Sequence, residues 1–191
     1  MTDRVEEIIA GCRSGDSTAQ EKLYHMFADR MWVVCRRYAP DIELARDILQ
    51  EGFIVVFEKI HQYRGNGSFE GWMRRIFINM ALAEYRKKRL LYCETNELQF
   101  YSQIESVEDE GEEPYEFSEA ELLEMITSLP PQYRLVFNLY AIEEMTHKDI
   151  AQMLGISEGT SKSNLFRARE WLKRKLKEKR AGIQKTLNVK F

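Results

Sequence analysis

Apolar residues along this chain recur at spacings of three and four nearly everywhere outside one central stretch, the period of amphipathic helices. Leu23, Phe27, Met31, Val34 and Tyr38 form one such stripe, and Ser17-x-x-Gln20 just ahead of it reads as a capping box. Pro40-Asp41 punctuates the pattern. A further helix is expected from about Ile42 to Tyr63, with Leu44, Ile48, Leu49, Val55 and Val56 available for a core. Arg64-Gly65-Asn66-Gly67 reads as a turn, because glycine tolerates the positive φ that turns need. Ser68 is placed to cap a helix reaching about Arg89. Helical periodicity lapses after that and resumes near Phe117, with Leu122, Leu123, Ile126 and Leu129 on one face. Pro130-Pro131 then breaks the chain where a new helix can start. The fold class expected is all-α: two small helical domains, 1–92 and 118–191, joined by a flexible linker over 93–117.

Charge divides the chain in the same places. The 191 residues carry 28 Lys and Arg against 31 Asp and Glu, a net of −3, which by itself disfavours a nucleic-acid binder. The total conceals an uneven distribution. Residues 1–92 carry a net +2, residues 93–124 hold 12 acids and no Lys or Arg, and residues 125–191 carry a net +7. Little apolar surface is available in the acidic stretch to offset the entropy of ordering, so it is expected to be a tether. Two basic blocks either side of it point to polyanion contact at two separate places.

Other classes find little support. Cys12, Cys35 and Cys93 are odd in number and lack Cys-x-x-Cys spacing, which fits reduced thiols and a cytoplasmic protein. His25, His61 and His147 are scattered, so no metal site is expected, and no motif calls for a cofactor. The N-terminal segment has acids and no apolar h-region, and the longest apolar run, Phe53–Phe57, is too short to span a membrane. No paired carboxylates near a histidine, no P-loop and no nucleophile elbow are present. The chain is therefore expected to have no catalytic residues and no small-molecule substrate.

The clearest local signal lies at 146–169. Thr146-x-x-Asp149 is a capping-box variant opening a short helix, with Ile150, Ala151, Met153 and Leu154 on its inner side. Gly155 suits a left-handed helix end, Ile156 the corner, and Ser157 the cap of the next helix. That helix carries Thr160, Lys162, Ser163, Asn164, Arg167 and Arg169 around Leu165 and Trp171. Cap, glycine turn, corner residue and basic second helix together define a helix-turn-helix, whose second helix reads the major groove. A surface helical hairpin with a solvated basic face is the plainer alternative. The trailing run Lys173-Arg174-Lys175-x-Lys177-x-Lys179-Arg180 fits phosphate contact and a solvated helix end equally well.

In the N-terminal half, Phe69, Trp72, Arg75, Asn79 and Arg86 share one side of a helix. Aromatic groups among Arg and Asn suit base stacking and phosphate contact, although Phe69 and Trp72 are also ordinary core candidates. Arg86-Lys87-Lys88-Arg89 would sit favourably at a helix C-terminus with or without a ligand. The preceding helix presents Glu43, Asp47, Gln50, Glu51 and Glu58 along one edge. Such a stripe is either a solvated face or a dock for a basic protein surface.

These residues carry a resemblance. Asp47-x-x-Gln50-Glu51-x-Phe53, Tyr63-Arg64-Gly65, Ser68-Phe69-x-x-Trp72 and Ile76-x-x-Asn79 resemble region two of bacterial sigma-70 family factors. Leu129-Pro130-Pro131-Gln132-Tyr133-Arg134 and Ile150-Ala151-x-x-Leu154-Gly155-Ile156-Ser157-Glu158-Gly159-Thr160-x-Lys162-Ser163, running into Arg167-Ala168-Arg169, resemble region four. With only these two regions, the chain resembles an extracytoplasmic-function (ECF) sigma factor over roughly 5–92 and 118–180.

The resemblance implies a promoter-specificity factor that binds core RNA polymerase, promoter DNA and an anti-sigma factor. It implies that Asp47, Gln50 and Glu51 dock on the polymerase clamp helices. Arg64, Ser68, Phe69, Trp72, Arg75, Asn79 and Arg86 would engage the non-template strand of the minus-ten element, with Ser68 and Phe69 at a pocket for an unstacked base. Thr160, Lys162, Ser163, Phe166 and Arg167 would read the minus-thirty-five element, and Arg169, Thr146 and His147 would meet its backbone. The acidic tether would thread the RNA exit path as a mimic of nucleic acid. Two positions depart from the family pattern: Glu144 stands where Gly is usual, and Ser161 where a β-branched apolar residue is usual. Strain is expected at the first.

Overall fold

The computed structural model describes residues 2–91 and 117–188, with side chains over 5–87 and 117–181. The linker expected over 93–117, apart from Phe117, lies outside the described residues, as do Cys93 within it and the side chains of Lys88 and Arg89. All regular elements among the described residues are helical. The chain divides into two compact units, Met1–Leu91 and Tyr92–Phe191.

The first unit contains α1 (Thr2–Arg13), α2 (Ser17–Tyr38), α3 (Ile42–Lys59), a single 3-10 turn (Ile60–Gln62) and α4 (Phe69–Leu91). Helix α2 is central and packs against α1, α3 and α4. Its expected stripe is all buried, from Leu23 through Phe27, Met31 and Val34 to Tyr38. Ile48, Phe53 and Val56 of α3 and Met73, Phe77 and Leu82 of α4 are all buried, and the Phe53 and Phe77 rings meet edge-on with centroids 5.4 Å apart. Leu44, Leu49 and Val55 are only half-buried. Close approach of α3 to α4 depends on Gly52, since a Cβ there would overlap the Phe77 ring. Cys12 and Cys35 are both buried and free, and burial pushes the Cys35 thiol up to about 12, consistent with core packing.

One capping expectation is corrected. The N-cap of α2 is Asp16, whose carboxylate accepts from the Thr18 N–H at 2.9 Å, and Ser17 is the first helical residue. Asp16 stands one position earlier and meets the Thr18 N–H, so the helix has already begun at Ser17 and the cap position is taken. Asp41 caps α3 in the same way, accepting from the Leu44 N–H at 2.7 Å.

The second unit contains α5 (Glu119–Thr127), α6 (Pro131–Phe137) continued by a π-helical turn (Asn138–Ile142), α7 (His147–Leu154) and α8 (Glu158–Asn188). Ser118 and Glu121 form a reciprocal capping box at the start of α5. The buried face of α5 differs from the one expected: Met125 is buried and Leu129 just beyond the helix is buried, whereas Leu122 is exposed. This short helix touches only part of α8, so one narrow seam is covered rather than the full apolar face. Leu129, Tyr133 and Ala168 form a core cluster with Phe137, Trp171 and Leu172 against it. Within the trailing basic run, Lys179 pairs with Glu121 at 3.3 Å and Glu124 at 3.2 Å. Lys175 pairs with Glu178 at 3.0 Å. Those lysines therefore tie the end of α8 to α5 and to itself.

Candidate nucleic-acid interface

In the second unit the turn is built as its residues require. Thr146 caps α7: its hydroxyl oxygen accepts from the Asp149 N–H at 3.2 Å and donates to the Asp149 carboxylate at 2.6 Å. Gly155 ends α7 in the left-handed region at φ 65° and ψ 41°. Its neighbour Ile156 donates its N–H to the Ala151 carbonyl at 3.1 Å. Ser157 then caps α8 by accepting from the Thr160 N–H at 3.0 Å. The first turns of α8 bury Ser161, Asn164, Leu165 and Ala168. That register turns Lys162, Ser163, Phe166 and Arg169 to solvent, and Phe166 stays 56% exposed. Thr160 and Arg167 sit half-buried at the edges of this face. Arg167 donates to the Tyr133 hydroxyl at 3.4 Å, which aims its guanidinium from a fixed root.

His147 links the two helices of the motif. Its Nδ1 lies 2.9 Å from the buried Ser161 hydroxyl, and its ring stacks on Tyr140 with centroids 4.6 Å apart. The Arg169 guanidinium also lies over the Tyr140 ring, 5.8 Å from its centroid. Burial, then the nearby Lys162 charge, holds the His147 pKa below its ordinary value, with Glu158 opposing and Arg169 adding to the depression. Ser161, one of the two departures from the family pattern, thus has a polar partner 14 positions away. Spacing alone gives no sign of it. At the other departure, Glu144 adopts φ 55°, the one positive φ outside glycine among the described residues.

In the first unit the loop between the 3-10 turn and α4 is tightly held. Gly65 and Gly67 both take positive φ, and the Tyr63 hydroxyl donates to the Gly67 carbonyl at 2.8 Å. Ser68 caps α4, accepting from the Gly71 N–H at 3.0 Å. Arg64, Ser68, Arg75, Asn79 and Arg86 are exposed, and Trp72 is half-buried. Phe69 differs from the expectation of an accessible base-pocket residue: it is 5% exposed. Its ring packs with Tyr63 at 5.1 Å, Trp72 at 5.4 Å and Phe27 at 5.9 Å, so it supports the loop from beneath. Glu70 braces the same corner through Arg30 at 2.6 Å and Arg74 at 3.5 Å. Arg86 donates its Nε back to the Leu82 carbonyl at 3.3 Å.

Asp47, Gln50 and Glu51 lie exposed together on α3, in line with Glu43 and Glu58. Among the described residues no ion pair engages Asp47 or Glu51. One member of this face was hidden in the apolar run of the sequence: Ile54 is 58% exposed, one helical turn beyond Gln50 and Glu51. Helical spacing to Asp47 and Glu58 would have located it.

Each of the two units matches a known family model. The sigma-70 region 2 family model matches residues 23–90, and the sigma-70 region 4 model matches 119–172. The ECF RNA polymerase sigma factor SigW of Bacillus subtilis is 29% identical over 187 residues, covering 93% of this chain and 100% of the relative. SigE of Mycolicibacterium smegmatis is 31% identical over 165 residues, covering 84% of this chain and 63% of the relative's length. The fold is similar to that of the sigma factor RpoE of Bartonella quintana, solved with the anti-sigma factor NepR. That likeness has a TM-score of 0.50 at 18% identity, over 82% of this chain and 96% of the other. The chain belongs to the sigma-70 family, in its ECF group, the transcription initiation factors that direct RNA polymerase to promoters.

Proposed function

We propose that the two units divide this work, one docking on core polymerase and opening the minus-ten element, the other reading the minus-thirty-five element. The observation that carries the reading is the register of α8. It buries Ser161, Asn164 and Ala168 and leaves Lys162, Ser163, Phe166 and Arg169 outward beside the half-buried Thr160 and Arg167. A recognition helix presents this mixture of hydrogen-bonding, cationic and apolar groups to base edges and thymine methyls. Thr146 and His147, at the start of α7, are in place for the adjoining phosphates.

On α3, Asp47, Gln50 and Glu51 form the polymerase dock, and we add Ile54 as its apolar centre. An apolar group amid charge is the usual anatomy of a protein interface. The loop and helix carrying Arg64, Ser68, Trp72, Arg75, Asn79 and Arg86 take the displaced strand. Phe69 contributes by holding that loop's shape. The acids of the 93–117 segment serve as the nucleic-acid mimic in the RNA exit path. An anti-sigma factor covers one or both faces when the chain is idle. The protein works in the cytoplasm and has no catalytic step of its own, the chemistry belonging to the polymerase. Among the described residues no helix is long and apolar enough to cross a membrane.

The test is transcription from a template library by core polymerase with and without the purified chain. Initiation from a defined promoter subset, lost on combining Asp47→Ala with Glu51→Ala, is the expected result.

A further inference from the structure

The loop proposed to capture the displaced strand is held at its stem by a residue from outside the sigma region 2 match. Arg13 is the last residue of α1, ten positions before that match begins at Leu23. Its Nε donates to the Ile60 carbonyl at 3.5 Å and its Nη2 to the Tyr63 carbonyl at 2.5 Å. These two carbonyls bound the 3-10 turn from which the loop departs. Tyr63 in turn reaches forward, its hydroxyl on the Gly67 carbonyl and its ring against Phe69 and Trp72. The root of the Arg13 side chain is fixed. Ile8, Ile9 and Cys12 bury α1 in the core, and the Asp16 N–H donates to the Gly11 carbonyl at 3.0 Å just after the helix.

We propose that Arg13 is a positioning residue for strand capture, acting through Tyr63 to hold Arg64 and Ser68 in their binding arrangement. The argument rests on the minus-ten role proposed above for the loop. A planar guanidinium can bridge two carbonyls with fixed geometry, which an ammonium does poorly. Arg13 is itself exposed, so water replaces its bonds at small cost to global stability. The loop has glycines at Gly65 and Gly67 and many alternative conformations once its stem is released. Apparent affinity for the strand then falls by the fraction of loops still correctly shaped.

The experiment uses holoenzyme assembled from the full chain and core polymerase. The probe is a fluorescent single-stranded DNA 12-mer, selected from a random pool on the wild-type holoenzyme. Arg13→Gln is expected to weaken probe binding about tenfold, the scale of losing one charge-assisted hydrogen bond's worth of bias. Affinity for core polymerase and the thermal midpoint of the chain should stay at wild-type values. Arg13→Lys should recover part of the loss, and Tyr63→Phe combined with Arg13→Gln should cost less than the two separate effects together. Unchanged probe binding by Arg13→Gln, or a parallel loss of core affinity or thermal stability, would overturn the proposal. If the wild-type holoenzyme selects no strand beyond what core polymerase alone retains, the minus-ten reading of the loop fails instead.

Discussion

The Nδ1 of His147 sits 2.9 Å from the hydroxyl of Ser161, joining the first helix of the helix-turn-helix to the buried side of the second. The ring is clasped between this bond and the face of Tyr140, which ties the start of α7 to the recognition helix. Ser161→Ala should lower the stability of the second unit by about 1 kcal/mol, the usual net value of such a bond, as read by denaturant unfolding. It should also weaken DNA binding without changing which sequence is preferred.

The depressed pKa of His147 makes that stability depend on pH. The folded form keeps the imidazole neutral, whereas the unfolded chain takes up a proton as pH falls through the ordinary 6.5. The stabilising contribution is therefore complete above that value and is lost as pH drops from there toward the lower folded pKa. A thermal-unfolding series from about pH 8 to about pH 5 should show this loss, and His147→Gln should flatten it.

Glu144 holds a left-handed backbone at φ 55°, where a side chain costs roughly 1 kcal/mol relative to glycine. Glu144→Gly should therefore raise the midpoint of the second unit in thermal unfolding. A lowered midpoint would mean that the Glu144 side chain contributes more than its backbone costs.

Phe69→Ala tests whether a residue that looks like a base-stacking group is structural. Its ring is 5% exposed among Phe27, Tyr63 and Trp72. The substitution should cost about 3–5 kcal/mol in stability of the first unit. Trp72→Ala, starting from a half-buried ring, should cost less stability and more strand binding.

Much of this was readable from local chemistry. The caps at Thr146, Ser157 and Ser68 and the left-handed Gly155 follow from residues within three positions of one another, where sequence fixes the partners. Reading fails where two competent groups compete or where a partner is distant. Asp16 and Ser17 can both cap a helix, and Asp16 takes the place one position earlier. The seam of α5 is set by how much of it α8 covers, so Met125 is buried and Leu122 is not. Periodicity places Phe69 on the same side as Arg75 and Asn79, yet Tyr63 and Phe27 take its ring inward. Ser161 with His147, and Arg13 with Tyr63, are contacts across 14 and 50 positions that no local pattern announces.

Arg167 should be a determinant of sequence preference rather than of affinity alone. The Tyr133 hydroxyl orients its guanidinium from behind at 3.4 Å. Arg167→Ala should narrow the gap between preferred and single-substituted promoter DNA by about 1–3 kcal/mol at one base pair. Lys162→Ala, expected to act mainly through charge, should weaken binding to all sequences and lower the salt dependence. Titrations of promoter variants at two salt concentrations distinguish these outcomes.

The division of labour between the faces is tested most directly by the affinity of the full chain for core polymerase, measured alongside its thermal midpoint. Asp47→Ala with Glu51→Ala, and Ile54→Ser separately, should each reduce core affinity at least about tenfold while the midpoint stays put, since all three side chains are exposed. Promoter-specific initiation should fall in proportion. Wild-type core affinity in both variants would contradict the account, because the exposed face of α3 would then not be where the polymerase is held.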